Sequence, residues 1–387
     1  MRAKNALRFG LVALFTAGMS VSGCGSDYLP VGTGGKIGSY GGGAAEDAAG
    51  SFGFDSGSLA PPGCGVGPDG GVCDCIDTPL LVDPPTFYFV LDRSGSMTDA
   101  DKWNTVRAAV SEIVSSVGPR AKFGATVFPG KAGTCDRGVE IMSIRNGDSP
   151  SGTFGPTNKF LVETTRALQA YGGTPTAPTL DALVTPLGQN PGKTYVILAT
   201  DGGPNCSGAT CGAESCILNI EGVDGCRPNG PSCCVDQAGL CLDGDATISA
   251  ISRLKSANVP TFVIGVPGSQ TYSNLLDRMA QAGGTAQQGA PAYYRVDKAD
   301  KADLVAALRK VAAKIVATCT YDLREAPPDV NKLNVYLDEK VVPKDPTNGW
   351  KVDGKTVTLL GDTCDKVLRG DVLGVRIILG CPTIEAR

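Results

Sequence analysis

The 387-residue chain contains no histidine. That absence removes the Ser-His-Asp and Cys-His catalytic machineries and the HExxH zinc proteases in one step. No basic cluster is present either, so the counterion-displacing stripe a duplex binder needs is missing, and nucleic acid is not an expected partner. Nor is any apolar run close to the roughly 20 residues needed to span a bilayer; the candidate at 9–21 is about 13 long. Repeats of solenoid length are absent. Residues 25–62 are mostly Gly, Ser, Ala and Asp, with hardly a large apolar side chain. Such a segment cannot bury enough surface to offset its ordering entropy.

What is present begins with a leader. Arg2, Lys4 and Arg8 precede the apolar stretch, and Val21-Ser22-Gly23-Cys24 follows as a small-residue cleavage site ending on cysteine. The pattern resembles a bacterial lipoprotein signal. That resemblance implies loss of residues 1–23 and attachment to the membrane by lipid on Cys24; an uncleaved transmembrane anchor is the alternative. Without 1–23 the chain keeps 32 of its 35 basic residues against 39 acidic ones, a net charge of −7. Residues 24–83 then read as a lipid-anchored linker ending in a cysteine-bearing segment. Its flexible part, about 38 residues, has a root-mean-square reach of roughly 35 Å and about 125 Å at full extension. A cleaved propeptide is the other reading of this stretch. Gly25, standing where an aspartate would hold many lipoproteins at the inner membrane, favours the outer membrane of a Gram-negative host.

Fifteen cysteines point to an oxidising compartment, and their odd number is resolved if Cys24 carries lipid. Fourteen remain for disulfides. Cys206, Cys211, Cys216, Cys226, Cys233, Cys234 and Cys241 crowd one loop and make eight with Cys135. Cys64, Cys73 and Cys75 make six with Cys319, Cys364 and Cys381, a set that would pin the end of the linker to the tail. A zinc cluster within 206–241 is the competing reading, although no zinc-ribbon CxxC pair occurs there.

From 84 to 318 apolar strands alternate with helical periods, which predicts an α/β fold: a doubly wound, mostly parallel sheet with helices on both faces. Strands are expected at 87–91, 122–128, 139–144, 195–200, 261–266 and 293–296. Helices are expected after residue 102 and at 158–171, 178–187, 246–257, 272–282 and around 304–315. Thr98, Asp99 and Asp101 suit the start of the first helix as caps. The cysteine-rich stretch 203–243 is an insertion. In the tail, 319–387, the period changes to two, and Asn348-Gly349 reads as a hairpin turn, so a small antiparallel β unit is expected.

Chemistry concentrates at two strand ends and one loop. Asp92, Ser94 and Ser96 follow the run Phe87–Leu91, Thr174 lies in Gly172-Gly173-Thr174-Pro175-Thr176, and Asp201 follows the strand ending at Thr200. Oxygen donors leaving the carboxyl ends of parallel strands suit a hard divalent cation. Each piece has a plainer reading as a cap, a turn or a loop. Taken together and in order, they resemble the von Willebrand factor A domain and its metal-ion-dependent adhesion site, Asp-x-Ser-x-Ser with a distant Thr and a distant Asp. The resemblance implies that the hydroxyls ligate directly, that the carboxylates act largely through water, and that an open coordination position takes a Glu or Asp from a protein or surface partner. Mg²⁺ is the expected ion, with Mn²⁺ or Ca²⁺ possible.

Look-alike motifs carry less. Gly188–Thr194 is one residue short of a phosphate loop and precedes a strand rather than opening a helix. Ser252–Lys255 matches SxxK but falls within a helix and lacks a Lys-Thr-Gly partner. The expected function is therefore non-enzymatic: a cell-envelope lipoprotein serving metal-dependent adhesion or complex assembly. A metal-independent envelope scaffold, or a hydrolase, is the alternative. The loop 206–241 leaves beside the proposed metal and is expected to wall the site, either as a recognition surface or as a stapled loop only.

Overall fold

The computed structural model describes residues 83–131, 135–148, 155–206, 208 and 210–386, with the backbone of 76–77. The leader, Cys24 and the linker through residue 75, with Cys64, Cys73 and Cys75, lie outside the described residues. A two-residue strand, β1 (Ile76–Asp77), comes first. The main body then runs β2 (Thr86–Asp92), α1 (Lys102–Val117), β3 (Lys122–Phe128), β4 (Val139–Asn146), α2 (Pro156–Arg166), α3 (Thr176–Gly188) and β5 (Thr194–Thr200). A short α4 (Ile217–Glu221) interrupts the cysteine-rich excursion. After it come α5 (Gly244–Ser256), β6 (Thr261–Gly265), α6 (Ser273–Gly283), β7 (Tyr294–Arg295) and α7 (Lys301–Val316).

Six strands form one sheet in the order β4-β3-β2-β5-β6-β7. All pairings are parallel except that of β3 with the edge strand β4. Both faces are covered, and β2 shows why. Its seven residues are all buried, so alternation sends Phe87, Phe89 and Leu91 into one core and Tyr88 and Val90 into another. The first core is closed by α1 and α7 through residues such as Val110, Val114, Leu308 and Val311. The second is closed by α3, α5 and α6 through Leu180, Leu254 and Leu276. This is the α/β class anticipated, with helices on both faces.

The winding order places a crevice. The chain leaves β2 for β3 on one side and later returns to β5 on the other, so the direction of winding reverses at β2. In open α/β sheets ligands bind outside the carboxyl ends of strands flanking such a reversal. Asp92 ends β2, and Asp201 follows the last residue of β5.

The tail carries β8 (Thr320–Asp322), β9 (Leu333–Leu337), β10 (Lys340–Val342), β11 (Trp350–Asp353), β12 (Thr356–Leu359), α8 (Gly361–Arg369) and β13 (Val375–Leu379). They make two antiparallel sheets, β1-β13-β9-β10 and β11-β12-β8, around Tyr321, Val335, Trp350, Val357 and Ile377. Two details differ from expectation. Asn348-Gly349 joins strands of different sheets instead of turning a hairpin; the hairpins turn at Asp338-Glu339 and Gly354-Lys355. Helix α8 was not anticipated, because period-two reading of the flanking strands masks nine residues of amphipathic helix. The unit also recruits a strand from before the main sheet, as Ile76 pairs with Leu379 and Asp77 with Ile378.

Arg120 ties the tail to the sheet. Nearly fully buried, it donates to the carbonyl oxygens of Val316 at 2.7 Å and Leu373. Among the described residues no helix is long and apolar enough to cross a membrane.

Candidate metal site

Two strand ends and one loop meet in the crevice. Asp92 is fully buried, and both of its oxygens are engaged: Oδ1 accepts from the Ser94 amide at 2.8 Å and Oδ2 from the Thr200 hydroxyl at 2.6 Å. Ser94 is buried and Ser96 exposed, with their hydroxyl oxygens 3.2 Å apart. The Ser96 hydroxyl donates to Asp201 Oδ1 at 2.8 Å. Hydrogen bonds thus link four of the five sequence-predicted residues into one cluster.

Thr174 joins through the backbone. Its amide donates to Asn205 Oδ1 at 2.8 Å, and the Asn205 amide donates back to the Thr174 carbonyl at 2.9 Å. On the other flank the Tyr171 amide bonds to the Arg93 carbonyl and the Gly95 amide to the Gly172 carbonyl. The threonine loop is therefore stitched to both strand ends. Thr174 itself is buried, and its hydroxyl carries no hydrogen bond among the described residues.

A buried guanidinium braces this arrangement from behind. Arg93 donates to three carbonyls, those of Pro129, Gly130 and Gln169, at 2.7 to 3.0 Å, and its burial lowers its pKa. The plainer cap readings find little support. No side-chain cap bond forms at Ser94 or Asp101; Asp101 instead accepts from the side-chain Nδ2 of Asn104, and Thr98 donates to the Gly95 carbonyl.

The donor set fits a small divalent cation. Adjacent ligands of an octahedral Mg²⁺ with bonds of 2.0–2.1 Å stand about 2.9 Å apart, close to both the Ser94–Ser96 and Ser96–Asp201 separations. A hydroxyl that gives its proton to a carboxylate keeps its lone pairs for a metal, and Ser96 does so. Electrostatics agree. Burial first, and the neighbouring Asp201 charge second, push Asp92 up from 3.8 to about 7, despite the opposing bonds from Thr200 and Ser94. Two carboxylates packed this closely call for positive charge between them.

Some of that charge comes from a residue the motif does not contain. Lys102 is 7 % exposed, and its Nζ donates to Asp201 Oδ2 at 2.5 Å. It opens α1, where the helix dipole disfavours a cation. The misfit becomes visible only once the structure shows α1 opening on Lys102. Thr200 and Asn205 carry no sequence signal either, since each is an ordinary strand or loop residue until the fold brings it to Asp92 or Thr174.

The excursion roots on the same rim. Cys135 and Cys206 form a disulfide, and a Cβ on Gly173 would stand 2.5 Å from Cys206 Sγ and 3.1 Å from Cys135 Sγ. The cross-link therefore backs directly onto the threonine loop, and only glycine fits there. Further bonds are Cys211–Cys241, Cys216–Cys234 and Cys226–Cys233, with Cys319–Cys364 in the tail. Cys381 is also disulfide-bonded. The sulfurs of Cys211, Cys234 and Cys241 lie close enough to suggest a metal, but all three are consumed in S–S bonds. The zinc reading of the loop is thereby set aside. Structural disulfides in this number mark an oxidising environment.

The two look-alike motifs sit as read. Gly188 ends α3 and Thr194 begins β5, so no helix opens on that glycine loop. Ser252 lies within α5 and spends its hydroxyl on the Ile248 carbonyl.

No protein-family profile and no curated protein matches the chain. Several solved structures resemble it. The pilus adhesin SpaC from Lactobacillus rhamnosus GG is 16% identical over 79% of this chain, with a TM-score of 0.47. The vWF domain of the type V pili tip protein Mfa5 from Porphyromonas gingivalis is 15% identical over 62% of this chain and 96% of its own, with a TM-score of 0.41. A von Willebrand factor type A protein from Catenulispora acidiphila is 14% identical over 79% of this chain and 59% of its own, with a TM-score of 0.38. The match spans 40% of the SpaC chain.

Proposed function

We propose that this chain is an exported, lipid-anchored protein of von Willebrand factor A type that captures a protein or surface ligand through a divalent cation. Ser94, Ser96 and Thr174 would hold the ion by their hydroxyls, with Asp92 and Asp201 as the charged groups around it. Bound there, the ion supplies an electrophilic position for an Asp or Glu of the partner. Mg²⁺ suits the small oxygen set, and Mn²⁺ is the nearest substitute. The observation that carries the reading is the Ser96 hydroxyl, which hands its proton to Asp201 while standing 3.2 Å from the Ser94 oxygen. A turn built only to start a helix has no need of that arrangement.

The chain's residues supply binding and orientation, and no catalytic apparatus is proposed for them. A metal-independent envelope scaffold is the second reading, favoured by one specific contact: Lys102 already brings a positive charge to Asp201.

Melting of the purified chain in chelator and in saturating Mg²⁺ separates the two. An ion at about 100 times its Kd adds about 2.7 kcal/mol to stability. Asp92→Ala is expected to abolish that gain, together with retention of partners from envelope extract. Equal melting and equal retention in chelator and Mg²⁺ would leave the scaffold standing.

A further inference from the structure

Lys102 is placed with some care for a residue at an unfavourable helix position. Ala100 and Asp101, immediately before it, both have left-handed backbone, with φ of 48° and 58°, an uncommon conformation for non-glycine residues that turns the chain so that α1 begins on the lysine. On the far side Gly268, at φ of +108°, leaves the space: a Cβ there would lie 3.4 Å from Lys102 Nζ and 3.2 Å from the Asp201 carbonyl oxygen. Asp201 consequently has both carboxylate oxygens engaged, Oδ1 by Ser96 and Oδ2 by Lys102.

We infer that Lys102 is a built-in counter-ion, a positioning residue whose ammonium keeps Asp201 out of direct coordination and sets how weakly the site holds its divalent cation. The inference rests on the metal reading above and deepens it. Asp92 and Asp201 bring two negative charges to the crevice and Lys102 cancels one. A divalent ion bound there keeps net positive charge, which is what draws an anionic group from a partner in preference to a neutral one. Nearby like charges repel, so the ammonium also opposes the metal directly. In the ion's absence, the same contact holds Asp201 in place against Ser96 and spares the site a reorganisation on loading.

Calorimetric titration of the intact chain with MgCl₂ tests this, comparing wild type with Lys102→Met, Lys102→Gln and Lys102→Arg. Removing the charge is expected to tighten Mg²⁺ binding about tenfold in both neutral variants, while Lys102→Arg stays near wild type. A lysine that merely braced the loop would give the opposite sign, weaker binding in Met and Gln. Gln keeps an amide donor for Asp201, so it reports on charge even if Met fails to fold. Wild type that binds Mg²⁺, with neutral variants binding equally or more weakly, overturns the counter-ion and leaves the metal site intact. Binding only in the neutral variants supports the counter-ion and overturns metal-dependent capture. Silence in all four overturns both.

Discussion

The six-stranded sheet and the excursion that leaves it after Asp201 are held by opposite means. Every residue of β2 is buried, and two apolar cores close on its faces. Among the described residues from 206 to 241 the buried side chains are Cys216, Ile217, Asn219, Cys234 and Cys241. Asn219 acts as the hub there: its amide donates to the Arg227 and Pro231 carbonyls at 2.6 and 2.9 Å, and its carbonyl accepts from Cys233 at 2.8 Å. Where too little apolar surface exists to hold a segment, cross-links and a saturated polar group take over. The candidate site sits on the seam between the two regimes. Its carboxylates stand on the sheet, while its threonine loop is braced by Asn205 and by the Cys135–Cys206 bond at the root of the excursion.

The comparison is broken most severely from the sheet side. Phe89 has no exposure and lies in the core under α1 and α7. Phe89→Ala is expected to cost about 3–5 kcal/mol in chemical denaturation, lowering one transition that carries sheet and site together. Loss of the site with an unchanged midpoint would mean that the crevice does not rest on this core.

From the excursion side the effect is smaller and local. Replacing Cys135 and Cys206 together by serine removes a cross-link spanning 71 residues, worth about 2–4 kcal/mol. Far-ultraviolet circular dichroism should show the sheet retained, while Mg²⁺ affinity falls because Thr174 loses its backing. If affinity is untouched, the excursion is a stapled surface loop that contributes nothing to the site.

The same division explains what was legible in the sequence. The run Phe87–Leu91 and the threes and fours of Trp103, Val106, Val110 and Val114 state their periods openly, because burial on a strand or one helix face leaves a regular trace. Asp92, Ser94, Ser96, Thr174 and Asp201 were legible as an ordered set of oxygen donors at two strand ends and in one loop. Lys102 and Asn205 were not used, since what defines them is a contact across 99 and 31 residues that no local pattern records. The cysteines divided by count into an eight and a six, and four bonds form within the eight. Connectivity was closed to reading because loop closure depends on the path of the chain. Helix α8 was hidden for a simpler reason: nine residues between strands give too short a sample of either period.

The finest test concerns charge at the seam, where Asp92 is raised from 3.8 to about 7 chiefly by burial and then by Asp201. A carboxyl raised on folding binds its proton more tightly in the folded state than in the unfolded one. Without a divalent ion, its contribution to stability is therefore fully present below pH 3.8 and is lost as pH rises to about 7. A cation needs the ionised form, so stabilisation by Mg²⁺ should grow through that same window. Thermal melts in chelator and in Mg²⁺ are expected to diverge steadily from about pH 4 to about pH 7, and Asp92→Asn should flatten the chelator curve. Curves that stay parallel would show that Asp92 does not exchange a proton for the ion, which would remove it from the cation's surroundings while leaving Ser94, Ser96 and Thr174 to be tested separately.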